Sequence, residues 1–109
     1  MTKHTAEVLV AQGKIIGARL GDAIDALGDA AYQSGPGMNL REESELFETL
    51  LDAFIDAASF KLYTDAARDL IIAEARLEFY GLHASKADRA KWINRRDEAY
   101  ALVATKEAA

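Results

Sequence analysis

The chain has no cysteine, a single proline, two histidines and one tryptophan among its 109 residues. Without cysteine there can be no disulfide, no thiolate nucleophile and no cysteine-ligated zinc, so the fold must be held by packing alone. Long hydrophobic runs are missing too. The longest, Ala99 to Ala104, falls far short of the roughly 20 residues a membrane span needs, and the N-terminus carries no secretory apolar core. The expectation is a cytoplasmic protein with no membrane contact. Catalytic constellations are equally scarce. His4 and His83 have neither a nucleophile nor an orienting carboxylate beside them in sequence, and the four serines, Ser34, Ser44, Ser59 and Ser85, suit turns, surfaces and caps. Glu74 and Glu78 precede His83 but lack the inward Glu-x-x-His pattern of helical di-metal sites. No enzyme activity, metal or cofactor is expected.

Strand-like alternation and internal repeats are also absent, and what remains is helical. Half of the residues are hydrophobic and 28% are charged, a balance that suits one folded domain over residues 1–109. From Thr5 to about Gln33, Leu9, Ile16, Leu20, Ala23, Leu27 and Ala30 recur at threes and fours, which predicts a long amphipathic first helix. Ser34-Gly35-Pro36-Gly37 stops it. Asn39 and Glu42 have capping-box spacing, so a second helix is expected from Leu40. Its main stripe is Leu46, Leu50, Ala53, Phe54, Ala57 and Phe60, widened by Phe47, Leu51, Ile55, Ala58 and Leu62. A break near Tyr63, with Thr64 and Asp65 capping, opens a third helix whose ridges are Leu70, Ala73, Leu77, Tyr80 and Ile72, Ala75, Phe79. Gly81 fits a C-cap with Leu82 packing back on Leu77. Ser85 and Asp88 begin the last helix, with Trp92, Ile93, Tyr100, Val103 and Ala104 on its buried side and Arg96 among them. The fold class is all-α, either a three- or four-helix antiparallel bundle or paired long helical hairpins.

Two features could carry function. Gly13, Gly17 and Gly21 recur every fourth residue along the first helix, and each interior glycine costs a helix roughly 1 kcal/mol relative to alanine. Their stripe implies that something approaches closely: a helix or ring of the same chain, such as Phe47 or Phe54, or the same helix of a second copy. Assigned to self-association, these three glycines make the chain a homo-oligomer.

Charge is the second feature. The formal net charge is −5, yet it is unevenly spread. Between Arg41 and Ser59 six acids face Arg41 alone, whereas Lys86, Arg89, Lys91, Arg95 and Arg96 outnumber Asp88. The two segments are expected to attract one another. Bases near the start of the last helix oppose its dipole, which makes Lys86 to Arg96 a candidate anion-binding segment with Trp92 as a stacking platform.

The resulting expectation is a non-catalytic, all-helical protein–protein interaction module, homo-oligomeric, acting as an adaptor, assembly component or small inhibitor of a partner. Short cysteine-free helical chains of this format are common among bacterial and phage accessory proteins. The alternative is a binder of nucleic acid or another anionic ligand through Lys86, Arg89, Lys91, Arg95 and Arg96. Overall acidity disfavours nucleic acid as the partner.

Overall fold

A computed structural model describes residues 5–56, 63–81 and 84–108, without the side chains of 106–108. Four helices follow in order: α1 (Ala6–Ser34), α2 (Leu40–Ile55), α3 (Asp65–Tyr80) and α4 (Lys86–Ala108). They form the all-α bundle expected from the periodicity, with no strand among the described residues.

Local chemistry sets the helix ends. At the N-termini, side chains accept the first unsatisfied amides. Thr5 accepts from the Val8 N–H at 3.2 Å, Asn39 from Glu42 at 2.8 Å, Thr64 from Ala67 at 3.2 Å and Ser85 from Asp88 at 3.1 Å. The break before Asp65 is therefore real, and α3 is a separate helix from α2. Gly81 closes α3 with φ +51, a left-handed value that glycine adopts without strain, and its N–H donates to the Leu77 carbonyl. The suggested packing of Leu82 on Leu77 lies outside the described residues, as do Ala57, Ala58, Phe60 and Leu62 of the proposed second-helix stripe.

Sequential helices run antiparallel, so α1 and α3 are parallel, and this pair forms the tightest contact in the molecule. A Cβ built on Gly13 would lie 2.8 Å from the Ile71 carbonyl oxygen, and one on Gly17 would lie 2.5 Å from that of Ala75. Gly21 follows in register opposite the Phe79 ring. The glycine stripe is thus filled by α3 of the same chain. Gly13 and Gly17 are buried there and cannot form the self-association edge that their spacing suggested.

This close approach reshapes the bundle. With α1 drawn onto α3, α4 packs along α3 while α2 lies mainly against α1 and reaches α3 through side chains such as Phe47 and Glu48, and the molecule is long and flat, 55 × 31 × 17 Å. Its radius of gyration, 15.2 Å, exceeds the roughly 13 Å of a compact domain of this size. The core is Leu9, Ile16 and Ile24 of α1, Phe47, Leu51 and Ile55 of α2, Leu70, Ile71 and Ala75 of α3, and Ala99 and Val103 of α4.

Three helices bury other residues than expected. In α4 Ala99 is buried with Val103, while Tyr100 is exposed. In α1 the buried line turns toward the glycines, leaving Ala23, Leu27 and Ala30 exposed. In α2 the ridge that seemed only to widen the stripe is the core one. Phe47 stacks on Phe79 at 3.9 Å between ring centroids, and Ala53 and Phe54 face out.

Alanine at position 17 should therefore destabilise. Overpacking against backbone costs about 1 to 3 kcal/mol, which outweighs the roughly 1 kcal/mol gained in helix propensity. Gly28→Ala should do the reverse, gaining up to about 1 kcal/mol, because its nearest neighbour is the movable Glu43 carboxylate. Chemical denaturation of both variants checks this; a Gly17→Ala protein as stable as Gly28→Ala would contradict the close packing.

Candidate functional site

α3 is covered by α1, α2 and α4 on three sides, and its fourth side is open. Asp69, Ile72, Ala73 and Arg76 form the floor of a groove of about 280 Å³, walled by Trp92, Arg95, Glu98, Ala99 and Leu102 of α4. A second hollow of about 510 Å³ lies between α2 and the start of α3, lined by Asp52, Ile55, Asp56, Asp65 and Arg68. Asp69 and Ile72 belong to both. The two hollows lie on either side of the exposed ridge of α3 that Asp69 and Ile72 form, one against α4 and one against α2.

The wider end of α3 is rigidly built. Arg76 grips Glu48 of α2 in a bidentate pair, with Nε 2.9 Å from Oε1 and Nη2 3.2 Å from Oε2. The Tyr80 hydroxyl donates to the same carboxylate at 3.3 Å. Trp92 lies on Tyr80 with centroids 4.8 Å apart, and Tyr80 meets Phe47 and Phe79 edge-on. Burial, reinforced by the Glu48 charge, pushes the Tyr80 phenol up to about 12, so it stays a neutral donor.

On the other side of α3, Glu74 is only 4% exposed and faces Arg96 of α4 at 3.6 Å. Burial raises its carboxyl above the ordinary range, and the opposing pull of Arg96 and Lys14 is smaller. The ion pair is too long to offset the desolvation of the acid.

Lys86, Arg89, Lys91 and Arg95 are exposed on α4 as two neighbouring pairs, Lys86 with Arg89 three residues on and Lys91 with Arg95 four residues on, the pairs facing different sides of the helix. Arg96 is held by Glu74 and Asp97. Trp92 is committed to Tyr80, so it offers no free face to a base on that side. The expected pairing of α2 acids with α4 bases is also replaced. α3 stands between them and supplies both partners, Arg76 to α2 and Glu74 to α4. Of the Glu74, Glu78 and His83 grouping, Glu74 is buried, Glu78 is exposed and His83 lies outside the described residues.

The residues lining the two hollows escaped sequence reasoning, although one signal was present. Asp52 and Asp56, and Asp65 and Asp69, are like-charged pairs four apart on consecutive helices, a costly pattern that marks a solvent-facing seam. No family model matches the chain, and neither the curated proteins nor the solved structures contain a match. Among the described residues no helix is long and apolar enough to cross a membrane.

Glu74 gives a test with a definite sign. Its folded-state affinity for the proton exceeds that of the unfolded chain, so its ionisation costs stability at neutral pH. The cost disappears as pH falls through the raised value toward 4.5. Glu74→Gln should be no less stable than the wild type at pH 7, with a flatter stability profile on the mildly acidic side, because Asp97 still holds Arg96. Denaturation across that range checks it; a loss of several kcal/mol at pH 7 would mean that the ion pair dominates.

Proposed function

We propose that this chain is a non-catalytic helical interaction module that self-associates through the outer face of α1, and that it acts as an adaptor, assembly component or inhibitor of a protein partner. The observation that carries the reading is an apolar row on the side of α1 away from the glycines. Val8, Ala11, Ile15 and Ala18 are all exposed, Ile15 to 53%. Their heptad-like spacing of three and four places them on one line along the helix.

Large and small residues alternate in that row. When the row lies antiparallel on a second copy, Val8 falls against the copy's Ala18, and Ile15 against its Ala11. Each bulky side chain then fills the space over a small one, the self-complementary arrangement a two-fold contact requires. Oligomerisation is thus moved from the glycine edge, which α3 occupies, to the opposite face of the same helix.

Ile15→Lys should reduce the assembly to monomer while leaving the helical circular dichroism unchanged, since position 15 contributes nothing to the core. Light scattering across a concentration series reads the mass. A wild-type protein that stays monomeric at high concentration, or a variant that assembles as before, would contradict self-association through this face.

A further inference from the structure

We infer that the cleft where the start of α2 and the end of α3 meet the middle of α1 binds a small arylalkylamine, a role that goes beyond self-association and does not depend on it. Asp25, Leu40, Glu43, Ser44, Phe79 and Tyr80 line this cleft, whose volume is about 210 Å³. Sites for drug-sized molecules hold roughly 300 to 1,000 Å³, so the occupant is smaller than those. Two rings and a leucine make up most of the lining. Leu40 is 72% exposed at the rim and both rings are only partly buried, so these apolar surfaces are not spent on the core.

The rings are held in place before anything enters. Phe47 stacks on Phe79 at 3.9 Å and Trp92 on Tyr80 at 4.8 Å, while Phe79 and Tyr80 meet edge-on at 4.9 Å. Gly21 lets Phe79 lie against α1, since a Cβ there would be 3.3 Å from the ring. A preorganised wall spends less of its contact energy on ordering itself.

Asp25 and Glu43 decide the charge of the occupant. Gly28 brings Glu43 onto α1, for a Cβ on that glycine would lie 3.2 Å from a Glu43 carboxylate oxygen, and Asp25 stands three residues before Gly28 on the same helix. Among the described residues neither carboxylate has an ion-pair partner. α1 carries no base after Arg19, and Arg41 is engaged by Glu45. α3 ends here with no base in its last turn, so its carbonyl end adds negative partial charge. Aromatic walls beside two carboxylates favour an ammonium group on an apolar body, by charge and by the ring quadrupoles, and repel carboxylates and phosphates.

Heteronuclear NMR titration with phenethylamine reads occupancy at the cleft itself. The Leu40, Ser44 and Tyr80 amides should shift together and saturably, one amine per chain, with a Kd of about 1 mM or below. Phenylpropanoate, of similar size and opposite charge, should not shift them. Asp25→Asn combined with Glu43→Gln should weaken binding at least about tenfold, and Leu40→Arg, which sets a guanidinium at the mouth, should abolish it. Asp25 and Leu40 are exposed and Glu43 partly so, which keeps the fold, with circular dichroism as the check. Asp22→Asn with Glu42→Gln removes the same charge from the same helices outside the cleft and should alter binding less than about twofold.

Absence of saturable shifts up to about 10 mM amine would overturn the inference. Equal response to phenylpropanoate would do the same, as would equal weakening by the Asp22 and Glu42 pair, which reduces the effect to net charge. Equal binding of a blocked lysine, acetyl-lysine methylamide, would overturn the assignment to a small aryl amine, because a partner's lysine would then serve as well. Ile15→Lys should leave amine binding intact, so failure of self-association and failure of the cleft are told apart.

Discussion

The backbone of α1 touches the backbone of α3, and the shape of the molecule depends on that contact. Without side chains at Gly13 and Gly17, the two parallel helices close the diagonal that a regular four-helix bundle keeps filled with side chains. α2 and α4 are left to flank α3 rather than to face each other. A flat molecule with one uncovered strip on its central helix follows directly. Glycine is costly in a helix, so the stripe offsets its own propensity penalty through the dispersion attraction that close approach allows.

α3 is also the electrostatic centre. It presents Arg76 to Glu48 on one side and Glu74 to Arg96 on the other, and so pairs with the acidic α2 and with the basic α4 at once. The two pairs differ in kind. Arg76 and Glu48 are partly exposed, bidentate and joined by Tyr80, a geometry that locks the positions of α2 and α3. Glu74 is buried at longer range, and its cost is a consequence of where the glycines bring α1. The aromatic sequence Phe47, Phe79, Tyr80 and Trp92 crosses three helices beside the first pair.

Helix ends were the most legible part of the chain, because caps are local chemistry. Thr64 and Ser85 mark their helices by accepting amides three residues on, and Gly81 by its left-handed backbone. Buried faces were less legible. The periodicity of α1 is broad enough to admit either Leu27 and Ala30 or Gly13 and Gly17 as its inner line, and only the position of α3 decides. In α2 the outcome turned on Phe47, whose partner Phe79 lies 32 residues away and has no local signature. Segment charges suggested that α2 would pair with α4, yet an ion pair runs from each of them to α3 instead. The hollows beside α3 could not be read at all, since each exists only as the space between helices distant in sequence. Exposed hydrophobic residues such as Ile15 and Leu102 become meaningful only after the folded faces are known.

These surfaces make the same helices serve two ends. The inner face of α1 builds the fold and its outer face carries the exposed row Val8, Ala11, Ile15 and Ala18, while α3 holds its neighbours by the glycine contact and by its two ion pairs. Native-state hydrogen exchange tests the central claim most directly, because the last region to open should be the one on which the others rest. The account requires the slowest amides to lie together in α1 around Leu9 to Ile24 and in α3 around Leu70 to Ala75, with α2 and α4 opening earlier. Faster exchange in α1 than in α2 or α4 would contradict it.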